Sequence, residues 1–192
     1  LHDALARVAS DGWSPVILDG KLFDTDRLTE TTISVKGKTI DAWYSRKHRD
    51  FGANIQALMR PDGLPIWTSD AMPGHLHDLT CAQRLDVTGA LYRAASQLNL
   101  PTLADSGYEG AGQGINTPYK QPTGGRRLAV DNRAYNAILR PMRCLGERGL
   151  AILTGRWRSL RHATASPRNL GDHVRAVLHL THFEYRYVPD SC

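Results

Sequence analysis

Long apolar runs are missing: no stretch of about 18 or more hydrophobic residues occurs, so no membrane-spanning helix and no membrane partner are expected. No charged-then-apolar leader opens the sequence, and no secretory signal is expected. Cysteine is scarce. The three present, Cys81, Cys144 and Cys192, are odd in number and form no C-x-x-C pair. That argues against a disulfide framework and against a zinc ribbon, and it fits a reducing cytoplasm. Nucleotide-cradling loops are missing too: Gly110-Ala-Gly112-Gln-Gly114 fits neither G-x-G-x-x-G nor G-x-x-x-x-G-K-[ST]. There is no internal repeat, low-complexity tract or linker, and 192 residues make one domain the default.

What is present is a set of well-placed carboxylates in an otherwise ordinary globular composition, 41% apolar and 22% charged. The short apolar run Thr102 to Ala104 stops at Asp105, and a glycine-rich loop follows. A buried strand ending in this way delivers an acid to the sheet edge, where the backbone can open a ligand site. Val16-Ile17-Leu18 ends similarly at Asp19-Gly20. A third acid, Glu147, lies in a helical, arginine-rich segment. Two aspartates at strand ends and a glutamate on a helix can converge into one cluster, whose most useful chemistry is holding Mg²⁺ for phosphoryl transfer. The competing readings are ordinary strand-end turns, and a surface Glu147 paired with Arg140 or Arg143. A helical wheel puts Arg140, Arg143, Ala151 and Thr154 on the Glu147 face and Ile138, Leu145 and Ile152 on the core face.

Charge is unevenly spread. Lys120 to Arg175 holds twelve Lys/Arg against three Asp/Glu, a local +9, which leaves −4 for the rest of a chain with net charge +5. A basic third beside an acidic remainder points to a nucleic-acid surface next to a metal-binding one. Lys120, Arg126 and Arg127 flank Gly124-Gly125 in a basic loop, and Arg158 and Arg161 are three apart. With Arg143 these are the candidate DNA contacts; a solvated basic face is the competing reading. Trp43, Tyr44, Trp67 and Trp157 could stack on bases, although core packing is the commoner use of aromatics.

Patterning predicts a helix over residues 1–10, a strand over 14–19, and a hairpin of 33–36 with 39–43 around Gly37. Strands over 54–60 and 64–69 flank the turn Pro61-Asp62-Gly63. One long helix is expected after Asp78, whose carboxylate reads as its N-cap, with a supporting acid as the alternative. After the Asp105 strand come an edge strand within 115–119 and a helix capped by Asp131 or Asn132. Pro141 either kinks that helix or opens a new one running to about Leu160, and a last helix covers 170–183. Three antiparallel strands, a crossover helix and a strand parallel to the first give an α/β, ribonuclease H-like mixed sheet flanked by helices. Asp19 and Asp105 would then be neighbours.

Four stretches, in order, strengthen this reading: Val16-Ile-Leu-Asp19-Gly20 with Thr25-Asp26-Arg27; Pro73-Gly-His-Leu-His77-Asp78-Leu-Thr; Ala104-Asp105-Ser-Gly-Tyr108-Glu-Gly; and Gly146-Glu147-Arg148 leading to Trp157-Arg-Ser-Leu160. Together they resemble the catalytic core of a bacterial insertion-sequence transposase, in the Harbinger-like branch of the DDE superfamily endonucleases. The resemblance implies DNA cleavage and strand transfer with Asp19, Asp105 and Glu147 as catalytic residues and ligands of two Mg²⁺ (or Mn²⁺) ions. Its implied partner is double-stranded DNA, both transposon ends and target, in a nucleoid-associated cytoplasmic setting, with room for a homodimer on the DNA. Two positions depart from the family pattern: Lys21 replaces a small polar residue, and Thr154 stands where Lys is common.

The sequence begins with Leu, and Leu1 to Val8 reads as mid-helix. The expectation is a longer parent, with 1–12 the remnant of a helical region and 1–192 a single catalytic domain lacking the family's helix-turn-helix. Two other functions compete: a catalytically silent DNA-binding remnant, and a zinc hydrolase built on His75, His77 and Asp78.

Overall fold

The computed structural model describes residues 1–124 and 126–187; the Arg143 side chain is also outside the described set. Gly125, Cys192 and any contact by the Arg143 guanidinium therefore lie outside it.

A mixed sheet forms the centre. Helix α1 (His2–Ser10) leads into β1 (Val16–Asp24), which pairs antiparallel with β5 (Asp50–Met59) along nearly its whole length. Between them, β2 (Thr31–Ile33) and β3 (Thr39–Asp41) make a separate two-stranded hairpin. Three short strands line the far side of β5: β4 (Tyr44–Ser45), β6 (Pro65–Thr68) and β7 (Met72–Pro73). Helices α2 (Asp78–Arg84) and α3 (Val87–Gln97) then cross over to β8 (Thr102–Ala104), parallel to β1, and β9 (Ile115–Asn116) adds the parallel edge. Helices α4 (Val130–Arg156) and α5 (Leu170–Glu184) complete the described chain. This is the α/β, ribonuclease H-like arrangement expected from the element order.

Strand alternation splits the core into two layers. Val16 and Leu18 bury against Leu5, Ala82, Val87 and Leu91 of the α1–α3 side. Ile17 buries on the opposite face with Met59, Leu150, Leu153 and Val174, beneath α4 and α5. Each such leucine or valine, fully withdrawn from water, contributes about 1.5–3 kcal/mol.

Four local expectations differ from the structure. First, β1 does not stop at Asp19: Leu22 and Phe23 are buried, and β5 supplies partners as far as Asp24↔Gly52. Asp19 thus sits mid-strand, where the parallel neighbour β8 ends. Second, the long helix after Asp78 is two helices, broken where Asp86 takes a left-handed conformation (φ 52°), which Asp tolerates better than most residues. Third, neither Asp131 nor Asn132 caps α4; Ala129 holds that position, and the helix continues through Pro141 to Arg156. Fourth, the core face of α4 is Leu139, Leu150 and Leu153; of the residues expected there Leu145 does pack, partly buried, against the core and Ile152 is half-buried, whereas Ile138 is exposed.

Candidate active site

Strand register brings the two aspartates together. Ile17 pairs with Leu103 and Leu18 with Ala104, so one step further along these parallel strands Asp19 lies beside Asp105. By alternation Asp19 shares the Ile17 face, the one covered by α4. Two glycines let α4 come down there. A Cβ on Gly146 would stand 3.1 Å from Ile17 Cγ2 and 3.5 Å from Asp19 Cβ. One on Gly149 would overlap Met59 Cγ and stand 3.0 Å from the Gly63 carbonyl oxygen. Glu147, between them in sequence, is thereby held over β1. Asp19, Asp105 and Glu147 border one cavity of 90 Å³, with Ile17, Leu18 and Ala104 as its apolar walls. Asp19 and Glu147 also line an open cleft of 480 Å³ that continues past Lys21, His48 and Thr154.

The cleft is electrostatically loaded. Burial pushes the Asp19 carboxyl up to about 6, and the negative charges of Asp105, Asp78 and Glu147 push the same way. The Gly20 N–H, donating to Asp19 Oδ1 at 2.9 Å, opposes them. Asp105 Oδ1 accepts the Gly107 N–H at 2.7 Å, capping the one-turn helix Ser106–Tyr108. That bond orients one oxygen and leaves the other for a ligand. Among the described residues, no three His, Cys, Asp or Glu side chains form a closed metal-ligating group. The acids border shared space.

A buried polar chain supports β1 from the other face, and sequence reasoning missed it. Tyr108 OH donates to Gln56 Oε1 (2.6 Å), Gln56 Nε2 to Asn54 Oδ1 (2.7 Å), and Asn54 Nδ2 to Asp78 Oδ1 (2.7 Å). Lys47 Nζ reaches Asp78 Oδ2 at 3.3 Å. The chain packs directly on Gly20, where a Cβ would stand 2.7–2.8 Å from Asp78 Oδ1, Gln56 Nε2 and Tyr108 OH. Gly20 is therefore required by this close approach rather than by a strand-end turn. Asp78 is the first residue of α2 and makes no cap hydrogen bond; His77 holds the cap position. The cap expectation is corrected: Asp78 is tied into the polar chain and adds negative charge at Asp19. The available signal was Asn54 and Gln56, two amides spaced by two in an apolar strand.

A comparison with protein families matches the DDE superfamily endonuclease family over residues 18–182, which takes in every acid just described. The chain belongs to the DDE superfamily endonucleases. No curated protein and no solved structure matches it. Membership gives this endonuclease a nuclease or transposase type of function, with DNA as the implied substrate, in a family that generally uses divalent metals.

The remaining candidates in this DDE endonuclease are scattered. Lys120 pairs with Glu109 at 2.5 Å. Arg161 caps the end of α4, donating to the Thr154 and Gly155 carbonyls at 3.1 and 3.0 Å. Arg126, Arg127 and Arg158 are exposed. His75 Nδ1 lies 2.6 Å from the Ala42 carbonyl, and among the described residues His75, His77 and Asp78 do not form a metal-ligating group. Trp43 is buried, its Nε1–H on Glu30 at 2.9 Å, and Trp157 donates to Thr181 at 3.0 Å, so both serve packing. No helix among the described residues is long and apolar enough to cross a membrane.

Proposed function

We propose that this chain is the catalytic core of a DNA transposase, cleaving a phosphodiester and joining the freed 3′-OH to target DNA. The observation that carries the reading is the shared cavity of Asp19, Asp105 and Glu147. Hard carboxylate oxygens, gathered where burial and mutual repulsion raise Asp19 to about 6, are the donor set suited to Mg²⁺ or Mn²⁺. Asp19 and Asp105 would hold two such ions, and Glu147 would share one. When bound, the ions supply activation of the attacking oxygen and charge neutralisation at the leaving oxygen.

The chain's own residues do the rest. The polar chain from Tyr108 to Asp78 fixes the strand beneath Asp19, and the Gly107 N–H fixes the Asp105 carboxylate. Lys21 lines the cleft beside Asp19 and can hold a non-bridging phosphate oxygen. Thr154 Oγ1 is turned back to the Leu150 carbonyl at 3.1 Å, so it supplies no charge where family members carry Lys. No protein nucleophile is needed. Exposed Arg126, Arg127 and Arg158 remain candidate phosphate contacts.

The test is nicking of supercoiled DNA with and without Mg²⁺ or Mn²⁺. Asp19→Asn, Asp105→Asn and Glu147→Gln should each reduce metal-dependent nicking by at least 10³-fold while duplex binding persists. Variants that nick at the wild-type rate would remove these acids from the mechanism. The uncharged Thr154, bonded back to the Leu150 carbonyl, favours one second reading, a silent DNA-binding remnant. That reading expects no nicking by the wild-type chain in either metal.

A further inference from the structure

The largest cavity among those described, 700 Å³, lies away from the carboxylates, between the β2–β3 hairpin and helix α2. Its walls carry Lys36 and Lys38 from the hairpin, Arg46 from the β4 turn, Arg84 from α2 and His77 from its N-cap. Lys36, Lys38, Arg46 and Arg84 are exposed, and none of the four makes a salt bridge among the described residues. In the arginine-rich third, Arg156, Arg168 and Arg175 are paired with carboxylates, while Arg126, Arg127 and Arg158 are likewise exposed and in no salt bridge among the described residues. The one acid on the groove wall, Glu30, is already engaged by Trp43 and Arg168. Four unpaired cations across a concave surface repel one another and concentrate positive potential, so the groove suits a polyanion.

The groove is linked to the active cleft through residues that line neighbouring cavities. A smaller cavity of 120 Å³ shares Ile40, Arg46, His75, Leu76 and His77 with the groove. It shares Leu22 and His48 with the 480 Å³ cleft that Asp19 and Glu147 line. Lys47 stands along this junction. Cationic side chains stand along these shared walls from Lys21, past Lys47 and Arg46, to Lys36, Lys38 and Arg84; Lys47 is already paired with Asp78, and Asp24 and Asp50 line the cleft beside Lys21.

We propose that this path is the track of duplex DNA leaving the cleavage site, with its phosphates held by Lys36, Lys38, Arg46 and Arg84. This rests on the reading of the cleft as a DNA-cleaving centre, and it adds a surface that the basic C-terminal third does not include. Contacts of this kind go to the backbone, so they hold DNA of any sequence and release counterions as they form.

The experiment is duplex binding in EDTA at several salt concentrations, so that no cleavage occurs. Wild type is compared with Lys36→Ala/Lys38→Ala, Arg46→Ala/Arg84→Ala and the charge-keeping Lys36→Arg/Lys38→Arg. Each phosphate no longer neutralised should lower the slope of log K against log salt by about 0.9. Both alanine pairs should therefore bind two unrelated duplexes more weakly and with shallower slopes, and the arginine pair should keep the wild-type slope. All four positions are on the surface, and unchanged melting temperatures would show that folding is intact. A wild-type slope in either alanine pair would overturn the track. Tighter binding of single-stranded DNA or RNA than of duplex would also overturn it. Nicking by the same proteins separates the two claims. If wild type never nicks yet the slopes fall, the cleavage reading fails and the groove stands as a duplex-binding surface alone; if Asp19→Asn abolishes nicking and the slopes hold, the cleavage reading stands and the track fails.

Discussion

At the scale of single residues, Asp19 carries the clearest conflict between folding and function. Its carboxyl is raised to about 6 from an ordinary 3.8, with burial the largest cause. The folded chain thus holds this proton more tightly than the unfolded chain does. Above pH 6 the ionised group costs stability on the order of 3 kcal/mol; the penalty shrinks as pH falls from 6 and is gone below about 4. Asp19→Asn should therefore raise metal-free stability at pH 7 by that order and flatten the dependence between pH 4 and 7. Urea melts at both pH values check this, and a less stable Asn variant at pH 7 would contradict it. Asp19 and Asp105 were legible because each closes a short apolar run before glycine. The polar chain beneath them was less so. Asn54 and Gln56 show as amides out of place in an apolar strand, but nothing local tells that Tyr108, 52 positions from Gln56, completes their hydrogen bonds.

At the scale of elements, glycine decides how α4 seats on the sheet. The hydrophobic wheel chose Ile138, Leu145 and Ile152 because hydropathy assigns no contact to a residue without a side chain. Of these only Leu145 packs against the buried cluster; the closest approach is through Gly146 and Gly149, flanked by Leu150 and Leu153. Two substitutions in one helix should then have opposite signs. Ala is the better helix former by about 0.8–1 kcal/mol. A methyl group at Gly155 would meet nothing within 4 Å, so Gly155→Ala should gain some of that stability. In Gly149→Ala the new methyl meets Met59 and the Gly63 carbonyl, so α4 must lift, taking Glu147 with it. That variant should lose about 1–3 kcal/mol, as overpacking does, and should lose nicking as well. Thermal melts of the two variants settle the signs; a stabilised Gly149→Ala would mean that α4 is not held by this contact. Element identity was largely readable, since alternation and helical spacing are local. The ends were not: β1 outran Asp19 because β5 kept offering partners, and the helix after Asp78 broke at Asp86 through a backbone conformation that periodicity cannot show.

At the scale of the whole molecule, one sheet separates two tasks. The α1–α3 face buries the polar chain that fixes β1 from below, and the α4–α5 face opens the cavity bordered by Asp19, Asp105 and Glu147. Element order made this arrangement legible, because a right-handed crossover after antiparallel strands must return β8 beside β1. The cationic groove was not legible, because Lys36, Lys38, Arg46 and Arg84 lie on separate elements outside the basic third. Gathering acids around a cavity leaves the metal-free fold strained by repulsion, and a bound cation relieves it. Ligand binding to the folded state alone adds about 2.7 kcal/mol at a hundredfold excess over Kd. The most direct measurement is the melting temperature with and without Mn²⁺ for wild type, Asp19→Asn and Asp105→Asn. Wild type should melt several degrees higher with Mn²⁺, while the variants start higher without metal and gain little from it. Equal Mn²⁺-induced increases in all three proteins would contradict a metal held between Asp19 and Asp105.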